Sequence, residues 1–106
     1  MPQYVMVYLG GSRSSNPEDA KQNMAKYRDW LASLGDAAVS PANPFKNTHT
    51  VSPGGDVIKG SAVFMSGYTI VKAKSMDEAL ALAKKCPFLE TGGSMEVSEL
   101  MEMGEK

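Results

Sequence analysis

The chain has 106 residues, 42% of them hydrophobic and 22% charged, which is the composition of one globular domain spanning residues 1–106. Eleven basic residues against twelve acidic ones leave a net charge of −1. That balance excludes a general electrostatic nucleic-acid binder and disfavours a membrane-surface role. One cysteine and one histidine exclude an internal disulfide, a cysteine-rich zinc site and a multi-histidine metal centre.

Met1-Pro2-Gln3-Tyr4 has neither the basic nor the long apolar region of a secretory signal. The longest apolar run, Tyr4 to Leu9, falls far short of the ~20 residues that span a bilayer. A cytoplasmic protein is therefore expected. The same run is β-rich and apolar on both parities, Val5, Val7 and Leu9 on one side and Tyr4, Met6 and Tyr8 on the other. It predicts a strand buried on both faces.

A loop, Gly10 to Ser15, leads into a helix with Asn16 at its cap, Pro17 in the first position, Glu18 and Asp19 in the first turn, and Gly35 as the stop. Ala20, Met24, Tyr27, Leu31 and Leu34 recur at helical spacing and make one apolar face. Ala37 to Val39 and Thr48 to Val51 read as short strands, with a turn at Ser52 to Asp56. Pro41, Pro44 and Pro53 make the segment from Pro41 to Ser66 the least regular part, expected to carry the rim of any pocket. Gly67 to Lys74 is a strand. Ser75-Met76-Asp77-Glu78 is a capping box opening a second helix that runs to Cys86, where Pro87 stops it. Gly93 to Met103 alternates and predicts a final strand, with Met101 to Lys106 fraying.

The order is β-α-β-hairpin-β-α-β. It predicts an α+β, ferredoxin-like domain, an antiparallel sheet with two helices on one face. Two helices cover one side of a sheet whose first strand is apolar on both, so the other side needs the long middle segment or another chain to cover it, and a face-to-face homodimer is the simplest solution.

Few residues carry chemistry. His49 is the one side chain whose ordinary pKa lies near neutrality, which makes it the candidate general base; the competing reading is a solvent-facing hairpin histidine. Ser12 and Arg13, in the loop before the first helix, are candidate ligands for a carboxylate or phosphate, against the reading of a plain connecting loop. Tyr27, Tyr68 and Trp30 are candidates for lining an apolar pocket, or for core and interface positions. Cys86 reads as a buried structural cysteine, and Arg28-Asp29 as a solvated helix face.

Gly67-Tyr68-Thr69-Ile70-Val71, Ser75-Met76-Asp77-Glu78-Ala79, Lys85-Cys86-Pro87 and Gly92-Gly93-Ser94-Met95-Glu96-Val97 together resemble the YCII-related family, in its DGPF-domain branch. The resemblance implies a dimeric α+β barrel. Some relatives carry a histidine in the first helix and an acidic residue after the second strand, proposed as an acid/base pair. The histidine position falls near Met24 and no carboxylate stands around Pro44 to Asn47, so no such pair is carried over. The expected function is binding of a small organic molecule or anion in a cleft between sheet and helices. The alternatives are acid/base catalysis through His49 and a structural, partner-binding module. No cofactor or metal is implied.

Overall fold

β1 (Gln3–Leu9) sits inside the sheet, its side chains buried on one face and only half-buried on the other, not buried on both as its apolar sequence predicts. It pairs antiparallel with β5 (Met65–Lys72) on one edge and β6 (Ser94–Glu99) on the other, and β2 (Ala38–Pro44) pairs outside β5. The spatial order β2-β5-β1-β6 is that of a ferredoxin-like α+β domain, as the element order predicts. The computed structural model describes residues 1–11 and 17–101. Ser12, Arg13 and the expected cap Asn16 lie outside the described residues, as does the end of the chain from Glu102 on.

The register separates the faces of the sheet. Tyr4 lies opposite Val71, Met6 opposite Thr69 and Val97, and Tyr8 opposite Gly67 and Met95. This row points toward α1 (Pro17–Ser33) and α2 (Met76–Ala83), and with Trp30, Leu34, Ala79, Ala83 and Cys86 it forms the core. Burying each large side chain there contributes roughly 1.5–3 kcal/mol. The Trp30 indole N–H donates to the Leu82 carbonyl at 3.0 Å, tying one helix to the other. On the opposite face Val5, Val7, Leu9, Tyr68 and Ile70 are half-buried, with no second layer above them among the described residues, which span 18 Å along the shortest axis.

The capping box forms in a modified way. Ser75 Oγ accepts from the Glu78 N–H at 3.2 Å, while the Glu78 carboxylate reaches back to the Lys74 N–H at 3.1 Å. α2 ends at Ala83, earlier than expected. Pro87 opens a 3-10 turn, Pro87–Thr91, instead of a bare stop. The final strand is confined to Ser94–Glu99.

Two expectations need correcting. The prolines of the middle segment do not prevent pairing: Ala38–Pro44 is a strand. It is an edge strand, so the missing N–H groups of Pro41 and Pro44 are tolerated, and shifts in register on either side of Ser40 accommodate them. The apolar helix face holds only at its C-terminal end, where Leu34 joins the core and Tyr27 and Leu31 pack against it. Trp30 is buried, whereas Met24 is half exposed, because α1 packs on the core through its C-terminal half and stands off the sheet at its N-terminal half.

Among the described residues, β3 (His49–Val51) and β4 (Val57–Lys59) pair only with each other. They form a hairpin whose Val51, Val57 and Ile58 are exposed.

Candidate functional site

The stand-off between α1 and the sheet is a cleft of about 510 Å³, within the range of small-molecule sites. Three elements build it. α1 contributes Ala20, Asn23, Met24, Tyr27, Arg28 and Leu31, at successive helical spacings. The sheet contributes Tyr8, Ala42, Pro44, Ser66 and Gly67, and the 3-10 turn adds Phe88 and Thr91.

Glycines set its walls. A Cβ on Gly67 would lie 2.9 Å from the Asn43 carbonyl oxygen and 3.2 Å from Pro44 Cα, so only glycine lets β2 approach β5 this closely. Phe88 is held in the same way, since a Cβ on Gly93 would lie 2.4 Å from its ring and one on Gly11 3.0 Å from it. The Phe88 ring packs 5.2 Å from that of Tyr8, and Tyr27 meets Tyr8 edge-on at 6.0 Å.

A row of hydroxyls ends at this aromatic group. Tyr27 Oη donates to Tyr8 Oη at 3.0 Å, Tyr8 Oη and Thr69 Oγ1 are hydrogen-bonded, and Thr69 Oγ1 donates to the Pro41 carbonyl at 2.6 Å. Thr69 is the one buried polar residue of the described core, and Tyr8 is buried beside it. Burial pushes the Tyr8 phenol far above its ordinary value, so it is a neutral hydroxyl at any working pH. Arg28 supplies the positive charge at the cleft, and it has no ion pair among the described residues. No carboxylate lines the cleft among the described residues. The geometry suits an apolar ring with a polar edge.

The sequence candidates divide accordingly. Tyr27 lies in the cleft. Tyr68 does not line it; it faces the open side of the sheet, its ring 5.8 Å from that of Phe45. His49 is exposed on the hairpin, its Nδ1 2.9 Å from the Asn47 carbonyl oxygen, and is not part of the cleft lining. Ser12 and Arg13 lie outside the described residues. Cys86 is buried, and burial pushes its thiol up. Among the described residues no three His, Cys, Asp or Glu side chains stand together as a metal site, and no helix is long and apolar enough to cross a membrane.

Sequence reasoning missed Tyr8, Thr69, Phe88 and Arg28. A signal existed for two of them. Tyr8 shares the parity of Tyr4 and Met6, and Arg28 stands four residues after Met24, on the helix side that faces the cleft.

Comparison with known proteins places this geometry. Residues 4–104 match the family model described as YCII-related domain, which bears out the resemblance read from residues 67–97. No curated protein matches the chain. Among solved structures, it is similar to 5-chloro-2-hydroxyhydroquinone dehydrochlorinase from Burkholderia phenoliruptrix, in complex with 2,5-dihydroxybenzoquinone. That likeness has a TM-score of 0.55 at 18% identity and covers 92% of this chain and 93% of the other. At this identity it is a likeness of fold.

Proposed function

We propose that this chain, which belongs to the YCII-related family, binds a small single-ring organic molecule in the cleft between α1 and the sheet. The carrying observation is the lining itself. Apolar and aromatic walls from Met24, Leu31 and Phe88 converge on the Tyr27 and Tyr8 hydroxyls, with Arg28 on the α1 side. The structural neighbour is named for a chlorinated hydroxyhydroquinone and holds a dihydroxybenzoquinone, both single rings bearing oxygen. A ligand of that class suits the cleft in size and polarity.

Binding is favoured over acid/base catalysis because the buried phenol of Tyr8 keeps its proton and His49 stands on the hairpin, outside the lining. The working unit is proposed to be a homodimer. Val5, Val7, Leu9, Tyr68 and Ile70 form a continuous half-buried row set, and the apolar hairpin extends beyond it.

The test is a titration of the 15N-labelled protein with 4-methylphenol. Amide shifts concentrated at Met24, Tyr27, Leu31, Gly67 and Thr91 are expected. Shifts confined to the hairpin or the open sheet face, or none at millimolar ligand, would refute the assignment.

A further inference from the structure

The hydroxyl row has a direction, and the direction selects the ligand. It starts from its closed end. The Pro41 carbonyl oxygen has no proton to give, so at 2.6 Å the hydrogen between it and Thr69 Oγ1 belongs to Thr69. Thr69 has a single hydroxyl proton, now spent, and can only accept from Tyr8. Tyr8 has likewise one proton, spent on Thr69, and accepts from Tyr27 at 3.0 Å. Every proton in the row therefore points inward, from the cleft toward the edge strand. What Tyr27 has left at the cleft is the lone pairs of Oη.

We infer that the cleft recognises its ring ligand through a hydroxyl or N–H donor given to Tyr27 Oη, and disfavours ligands that offer only a carbonyl or ether oxygen at that point. This rests on the cleft being the binding site, and it names which ligands of the ring class bind there. An acceptor-only ring would set oxygen lone pairs against those of Tyr27, or turn the Tyr27 proton outward at the cost of its bond to Tyr8; reversing the whole row would further set the Thr69 oxygen unprotonated against the Pro41 carbonyl.

The experiment compares three rings of similar size by NMR titration: 4-methylphenol, which donates; 4-methylanisole, the same ring with the donor capped; and acetophenone, which only accepts. 4-Methylphenol is expected to bind about tenfold tighter than either of the others, the value of one well-placed hydrogen bond. Thr69→Val removes the inward acceptor and frees the row to turn outward, so the preference should fall to near one or invert in favour of acetophenone. Tyr27→Phe, at a half-buried position, should likewise bring the ratio to near one, and it serves if the buried Thr69 variant does not fold. Equal binding of the three rings, tighter binding of acetophenone by the native chain, or a tenfold preference that survives both substitutions would overturn the inference while leaving the cleft as the site. Absence of binding by all three would overturn the site, and the inference with it.

Discussion

Replacing Tyr8 by Phe deletes the middle of the hydroxyl row without changing the ring. Two hydrogen bonds are lost, the one donated to buried Thr69 and the one accepted from Tyr27. At about 0.5–1.5 kcal/mol each, the variant should be about 1–3 kcal/mol less stable than the native chain at pH 7. For a domain of this size that is a fall in melting temperature of at least about 4 °C. The pH dependence gives a sharper test. Burial raises the Tyr8 pKa above its ordinary 10.0, so the native fold keeps a proton that the unfolded chain gives up. The stabilisation is then complete below pH 10 and is lost as pH rises above it, by about 1.4 kcal/mol per pH unit. Tyr8→Phe lacks this group, so the gap between the two proteins should hold from pH 7 to 9 and close by about 1 kcal/mol between pH 10 and 11. Urea unfolding followed by circular dichroism at each pH measures it. No gap at pH 7, or a gap that is constant or wider at pH 11, would refute the reasoning.

Val7→Asp, on the half-buried open face, should convert the proposed dimer to folded monomers by light scattering, whereas Met6→Asp, fully buried under the helices, should unfold the chain. Gly93→Ala sets a methyl 2.4 Å from the Phe88 ring, so it should lower the melting temperature and weaken 4-methylphenol binding together. His49→Ala should leave both unchanged within error, since His49 is exposed and outside the cleft; loss of ligand affinity in that variant would return the hairpin to the site.

Much of the fold was legible because its signals are local. The strand at Tyr4 to Leu9 and the Ser75 to Glu78 cap rest on signals within a few residues and form where read, whereas the first strand is buried on one face only and the second helix ends before Cys86. The edge strand was legible only at its start, where Ala37 to Val39 reads as a short strand. Pro41 and Pro44 argue against a strand, and only their place at the sheet edge, a tertiary fact, removes the penalty. The cleft was half legible. Tyr27 announced itself by helical spacing, but Tyr8 lies 19 residues from it and Thr69 61 residues from Tyr8, and nothing local links them. Phe88 was hidden in part for the same reason, since its seat is shared between nearby Gly93 and Gly11 at the far end of the chain.

The most direct measurement is a crystal structure of the protein with 4-methylphenol bound. The ring should lie between Met24 and Phe88, with its hydroxyl within hydrogen-bond distance of Tyr27 Oη. A ring seated on the hairpin or the open sheet face, or one in the cleft with its hydroxyl turned away from Tyr27, would contradict the account.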